Sequence, residues 1–204
     1  MTLKFYTNPM SRGQIARWAL HEAGTDYEQI LLEYGTSMKA DAYLKVNPMG
    51  KVPAIDHDGR IVTEGAAICA YLAEAFPDAG LAPTATERAD YYRWLFFAAG
   101  PVEAAITNRS LGFEVAQDKE MMAGYGNYDR VVDVLDGKLQ TDDYVCGSRF
   151  TMADVYFGAQ LVWGTQFGTL PKRDSFVAYA KRLIERDAYK AAKAIDDALI
   201  AENG

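Results

Sequence analysis

Cysteine and histidine are scarce in this chain of 204 residues, which has two of each. Cys69 and Cys146 lie far apart and form no CxxC, so a dithiol redox motif and a zinc ribbon are both excluded. His21 and His57 are too few for a metal cluster. Neither stands at a persuasive spacing from a Ser or Asp, which argues against a Ser-His-Asp triad. Long apolar runs are missing as well. No stretch approaches the roughly 18 apolar residues of a membrane span, and Met1 to Tyr6 run straight into a strand-like segment without the apolar core of a signal peptide. Basic runs are also absent. With a net charge of −7, the chain is a poor partner for nucleic acid or an anionic membrane. There is no internal repeat and no low-complexity segment. Two cysteines with no evident pairing fit a reducing compartment. The expectation is a soluble, cytoplasmic protein without a metal.

What is present is a large apolar fraction, 50% of the residues, enough to bury a sizeable core. Leu3–Thr7 reads as a short strand, broken by Asn8-Pro9. From Ser11 the apolar residues Ile15, Trp18, Ala19 and Ala23 recur at helical spacing, and Gly24 supplies a stop. Tyr27–Leu32 reads as a second strand, which a right-handed crossover would place parallel to the first. A short helix near 40–45 follows. Val52–Asp56 and Arg60–Thr63 then flank His57-Asp58-Gly59, where Asp-Gly signals a hairpin. A helix carrying Ile68, Tyr71, Leu72 and Ala75 ends before Pro77. The order βαβ, short helix, ββα is that of a thioredoxin-like α/β fold. Pro77 to Thr86, with two prolines and one glycine in ten residues, marks a domain boundary. The domains expected are 1–77, a linker at 78–86, and an all-α domain at 87–204, with helices near 87–112, 118–140, 152–166, 174–186 and 188–202. Thr151-Met152-Ala153-Asp154 opens one of these as a capping box, with Asp where Glu is more usual.

The chemistry concentrates in Asn47-Pro48-Met49-Gly50-Lys51-Val52-Pro53 and in Thr63-Glu64-Gly65-Ala66-Ala67-Ile68. Pro53 has no N–H and must sit at a strand start or edge. A cis Val52–Pro53 bond would turn the Val52 N–H and C=O toward a ligand, and a peptide could pair with them as an added strand. Glu64-Gly65 opens a helix whose N–H groups suit a carboxylate, while the Glu64 carboxylate suits an amine. A free α-amino acid end needs both charges answered at once. Glutathione presents such an end on its γ-glutamyl residue, with a cysteinyl backbone beside it.

With these pieces in order, the chain resembles the cytosolic glutathione transferase family over essentially its whole length. The resemblance rests on Phe5-Tyr6-x-Asn8-Pro9-Met10-Ser11-Arg12-Gly13, on the Val52-Pro53 and Glu64-Gly65 pieces, on Trp94-Leu95-Phe96-Phe97-Ala98-Ala99-Gly100-Pro101, and on the Thr151–Asp154 box. It is closest in pattern to bacterial members with a Ser at the first helix. The resemblance implies that Val52 pairs with the cysteinyl backbone and that Glu64 and the Gly65 N–H hold the γ-glutamyl end. It implies that Lys51 or Lys39 faces the glycyl carboxylate and that Ser11 donates a hydrogen bond to the sulfur. Tyr6 and Asn8 are the rivals of Ser11, with Arg12 behind them. Family members usually carry Ser or Thr where Gly65 stands. The lost hydroxyl contact is worth roughly 1.5–3 kcal/mol. The implied activity is attack of a glutathione thiolate on a small apolar electrophile, with glutathione as co-substrate and no tightly bound cofactor. Lowering a thiol pKa of ~8.5 by about 2 takes roughly 2.7 kcal/mol of preference for the thiolate. A hydroxyl and a helix N-terminus can supply that. A homodimer is implied too.

Each residue also has a plainer reading. Ser11 can be an ordinary N-cap, Glu64 a first-turn charge, and Lys39 and Lys51 solvated surface lysines. Cys69 and Cys146 read as packing residues. Most of Tyr91–Phe97 must be core. Met10, Trp94, Phe97, Arg109 and Trp163 are the candidates to line an electrophile pocket, with Asn108 and Phe167 near them. Two other readings stand beside conjugation. One is reduction of a hydroperoxide or mixed disulfide by glutathione, whose thiol-exchange version is disfavoured by Ser rather than Cys at the helix start. The other is a non-catalytic binding protein on the same fold.

Overall fold

A computed structural model describes residues 2–203. Met1 and Gly204, the outer ends of the two expected domains, lie outside the described residues. The chain forms two compact units, Met1–Ala82 with Arg186–Gly204, and Pro83–Glu185.

The first unit is built on a sheet of four strands: β1 (Leu3–Thr7), β2 (Glu28–Leu31), β3 (Ala54–His57) and β4 (Arg60–Thr63), in the order β2-β1-β3-β4. β1 and β2 are parallel, joined through α1 (Gly13–Glu22), whereas β3 runs antiparallel to both of its neighbours. Leu3, Phe5 and Thr7 alternate into the interior, as the period of a strand requires. The β3–β4 hairpin turns on Asp58-Gly59, both at positive φ (51° and 82°), the conformation that Asp-Gly adopts readily. A short α2 (Asp41–Leu44) precedes β3, and α3 (Gly65–Ala75) follows β4. The sheet and these helices are the thioredoxin-like arrangement expected.

The last helix, α9 (Asp187–Asn203), falls in this first unit, whereas the expected all-α span of 87–204 counted it with the helical half. Its packing gives the reason. Arg17 on α1 is fully buried, and its Nε lies 3.0 Å from a carboxylate oxygen of Asp196 on α9. Trp18 stands edge-on to Tyr189, and Arg186 reaches both oxygens of Glu22 at 2.6 Å. A buried guanidinium at the middle of α1 needs a counter-charge, and the chain end carries it.

The second unit is helical. Its centre is α7 (Met152–Phe167), apolar on nearly every side and almost wholly buried against α4 (Arg88–Phe97) and α8 (Asp174–Ile184). The Thr151/Asp154 capping box is present at its start. Two expected helices are interrupted. The 87–112 region is α4, then a π turn over Ala98–Val102, then α5 (Glu103–Ser110). The wider turn absorbs Pro101, which cannot donate an N–H. The 118–140 region holds a 3₁₀ stretch at Gln117–Met122 and then α6 (Tyr128–Leu139). Gly124 and Gly126, the latter at φ 67°, break it, and the Asn127 side chain caps α6 by accepting from the Arg130 N–H.

Candidate functional site

The register of the sheet brings the two halves of the motif together. Ala54 pairs with Thr63 and with Tyr6, so Pro53 stands next to Glu64 on one side and Thr7 on the other. The end of β1, the start of β3 and the end of β4 therefore meet at one end of the sheet. Val52-Pro53, Glu64-Gly65 and the loop Asn8–Arg12 all emerge there, ahead of α1.

The Val52–Pro53 peptide is cis. Val52 takes part in no backbone hydrogen bond among the described residues, so its N–H and C=O are open to a partner strand. The preceding loop is held from below. Tyr43 Oη and Asn47 Nδ2 both donate to the Lys51 carbonyl, at 2.6 and 2.8 Å. Burial pushes the Tyr43 hydroxyl up to about 12, so it stays a donor at neutral pH. Asn47 Oδ1 accepts from the Met49 N–H, an Asx turn. Gly50 sits at φ 57°, where a Cβ would fall 2.7 Å from the Met38 carbonyl oxygen, and only glycine satisfies both demands.

Lys39 closes this loop. Its Nζ donates to the Met49 and Gly50 carbonyls at 3.1 and 2.9 Å, which occupies two of its three donors. Lys51 is exposed. Of the two lysines expected to face a carboxylate, Lys39 thus has a structural task and Lys51 has none assigned.

Glu64 is the N-cap of α3 and sits at φ 65°, ψ 117°. A non-glycine residue at positive φ is uncommon and costs energy. Its exposed side chain makes no cap hydrogen bond and no ion pair among the described residues. Gly65 presents its N–H at the first turn of α3.

Ser11 precedes α1 and is half-buried. Its Oγ accepts from the Gly13 N–H at 2.9 Å and donates to the Asn8 carbonyl at 2.6 Å. It is a local cap whose single proton is spent on the backbone. Asn8 is buried and spans the loop. Its Nδ2 donates to the Leu32 carbonyl and its Oδ1 accepts from the Met10 N–H, both at 2.9 Å, which turns the amide away from solvent. Gly13 lets α1 approach β1, since a Cβ there would lie 2.0 Å from Thr7 Oγ1. Tyr6 alternates to the opposite face of the sheet from Thr7. It packs on Tyr43 (centroids 5.4 Å apart), against the same buried cluster of Leu32, Met38, Tyr43 and Ala54 that Val52 packs on. Ser11 and Tyr6 are therefore on different sides of β1.

The expected pocket residues are divided between the two units. Met10 is 74% exposed in the first unit. In the second unit Trp94 is 5% exposed, edge-on to Phe97 and Phe157, with Arg93 4.7 Å from its ring centre. It is an interior residue, because α4 turns it toward α7. Phe97 and Trp163 are half-buried. Arg109 lines a cavity in company with Phe113, Tyr125 and Tyr128, the last two beyond the break in the 118–140 region. No cysteine stands at the start of α1. Cys69 is buried, and burial drives its thiol pKa up. Cys146 is half-buried and pushed up to about 11 by the same cause, so neither is poised as a thiolate. His57 is a core residue, hydrogen-bonded to Tyr71 and stacked on Phe76. No group of acidic, histidine or cysteine residues among those described would hold a metal ion, and no described helix is long and apolar enough to cross a membrane.

Comparison with known proteins adds to this geometry. Residues 1–74 match the family model "Glutathione S-transferase, N-terminal domain", and residues 93–187 match "Glutathione S-transferase, C-terminal domain". Glutathione S-transferase GstA of Escherichia coli O157:H7 is 27% identical over 98% of each chain. A glutathione transferase structure from Methylococcus capsulatus superposes with a TM-score of 0.79 at 28% identity, over 96% of this chain and 99% of that one. A sphingomonad glutathione S-transferase complexed with glutathione gives 0.77, also at 28% identity, over 95% and 98%.

Proposed function

The chain belongs to the glutathione S-transferase family and is a glutathione transferase, and we propose that it works by holding glutathione at the sheet end with Val52, Glu64 and Gly65 while Ser11 favours the thiolate. The observation that carries this is Glu64. It is held at φ 65° with its carboxylate free, beside the first N–H groups of α3. That pair of features answers an ammonium and a carboxylate on one carbon. Strain persists where the surrounding structure imposes it, and here it aims one side chain.

Val52 adds the cysteinyl backbone as a short strand and so carries the sulfur toward the start of α1. Ser11 donates to the sulfur by turning its O–H from the Asn8 carbonyl, while its oxygen keeps the bond from the Gly13 N–H. Ser11 is not a nucleophile in this scheme. It stabilises the anion of a bound one, together with the N-terminal dipole of α1. Lys51 answers the glycyl carboxylate, and Lys39 supports the loop. The thiolate then attacks a small apolar electrophile, with glutathione as co-substrate and no tightly bound cofactor. A cytoplasmic homodimer fits the family. Tyr92 and Phe96 support it, because they stack on one another in an exposed apolar patch of α4 that a second copy would cover.

The test is conjugation of glutathione to a chloronitrobenzene, with calorimetry of glutathione binding beside it. Glu64→Ala should abolish binding at micromolar glutathione. Ser11→Ala should leave binding nearly intact and lower kcat about 10- to 100-fold, the worth of one hydrogen bond to a charged group at roughly 1.5–3 kcal/mol. It should also move the pH–rate profile upward, since less thiolate forms at neutral pH. An unaltered rate in Ser11→Ala would remove Ser11 from the mechanism. Absence of binding heat at millimolar glutathione would remove the whole scheme.

A further inference from the structure

A cavity of about 240 Å³ lies within the helical unit, between the end of α5, the 111–127 segment and the start of α6. Its walls combine the rings of Phe113, Tyr125 and Tyr128 with the side chains of Arg109, Glu114 and Asp129. Arg109 is its one lining cation. The guanidinium carbon lies 4.0 Å from the centre of the Tyr128 ring, stacked on it. Two carboxylates share these walls, yet neither forms an ion pair with Arg109, and its N–H groups have no hydrogen-bond partner among the described residues. The two tyrosine walls, in contrast, are tied down. Tyr125 Oη accepts from Asn108 Nδ2 at 3.0 Å, and Tyr128 Oη donates to the Thr169 carbonyl at 2.7 Å. The two tyrosine rings are thus fixed in place while the forked donor set of the arginine is left open.

We propose that this cavity binds a small aromatic monocarboxylate, with its ring among Phe113, Tyr125 and Tyr128 and its carboxylate on Arg109. A planar guanidinium matches a carboxylate with two parallel hydrogen bonds, and its stacking on Tyr128 holds it ready for that contact. The volume sits just below the usual ~300–1,000 Å³ of ligand pockets, which limits the ligand to one or two fused rings. Glu114 and Asp129 set the remaining selectivity. They repel negative charge everywhere except at Arg109, so a dianion such as an aryl phosphate is disfavoured. The site needs no glutathione, and its ligand is recognised independently of the transferase scheme.

The experiment is titration of the full chain, without glutathione, with 2-naphthoate, 2-naphthamide and 2-naphthyl phosphate, followed by calorimetry. Naphthoate should bind at least tenfold more tightly than either of the others. Arg109→Gln should weaken naphthoate at least tenfold and leave naphthamide unchanged, and Phe113→Ala should weaken both. Arg109 is exposed, so its replacement leaves the fold intact, which a circular dichroism melt verifies. Equal binding of naphthoate and naphthamide, an Arg109→Gln variant that binds naphthoate as the native chain does, or no saturation by millimolar naphthoate would each overturn the proposal.

Discussion

Each of the two units buries one aspartate almost completely, and they satisfy it in opposite ways. Asp154, at the start of α7, accepts from the backbone N–H groups of Val145 and Thr151, from the Thr151 hydroxyl and from Tyr179 Oη, all at 2.7–3.0 Å. Its partners are neutral dipoles gathered around a helix cap. Asp196, on α9, faces a cation, with Arg17 Nε 3.0 Å away and the Arg17 guanidinium lying over the Phe5 ring and donating to Tyr27 Oη. Burial raises the pKa of both carboxylates, and the local partners oppose it in each case. The difference teaches how reach scales with charge. Dipoles work only at hydrogen-bond distance, so Asp154 is served mainly by residues close in sequence. A full charge can be answered by one distant group, so Asp196 is answered across almost the whole length of the chain.

The contrast can be broken from either side. Asp154→Ala strands several buried donors at ~1–3 kcal/mol each, so a loss of about 5 kcal/mol in urea unfolding is expected, the largest effect of any single change here. A loss under 1 kcal/mol would show that water replaces the carboxylate. Arg17→Met leaves Asp196 buried and unpaired and should cost about 3–5 kcal/mol. The double variant Arg17→Met/Asp196→Leu should return to within about 1–2 kcal/mol of the native chain, because an apolar pair of similar volume has no charge to bury. A double variant as unstable as the single one would mean that the ion pair itself, and not the orphaned charge, holds α9.

The third contrast is one of pH. Asp196 is raised to about 6, first by burial, with Arg17 opposing. An acid raised in the folded chain holds its proton more tightly there than in the unfolded chain, at ~3.9. Its contribution to stability is full below that lower value and is lost as pH rises through about 6. The lead of the native chain over Asp196→Asn should therefore shrink by up to about 3 kcal/mol between pH 4 and pH 7. A lead that is constant across that range would place the carboxylate in contact with water.

The same contrast explains what could be read from the sequence. The Thr151–Asp154 box is a local pattern, and so are the Asp58-Gly59 turn, the strand–helix order of the first unit and the Val52-Pro53 and Glu64-Gly65 pieces. Each depends on residues within a few positions of one another. The Arg17–Asp196 pair carries no such mark, and α9 was accordingly assigned by its helical period to the helical half. Trp94 was placed on a pocket wall because aromatic periodicity shows that a stripe is apolar but not which neighbour covers it. The break at Gly124–Gly126 was missed because helical spacing runs on both sides of it, and with it went Tyr125 and Tyr128. For Ser11, sequence identifies a hydroxyl before a helix. The folded loop is what sets that hydroxyl on the Asn8 carbonyl.

The π turn at Ala98–Val102 has a geometric consequence for that cavity. A π turn holds one residue more than the α-helix needs, and each residue of an α-helix advances the surface by about 100°. The turn therefore acts as a phase shifter between Trp94, which α4 points inward, and Arg109, which α5 presents to the aromatic walls. Removing Gly100 would take out that extra residue and rotate Arg109 off Tyr128, without altering a single residue of the cavity itself.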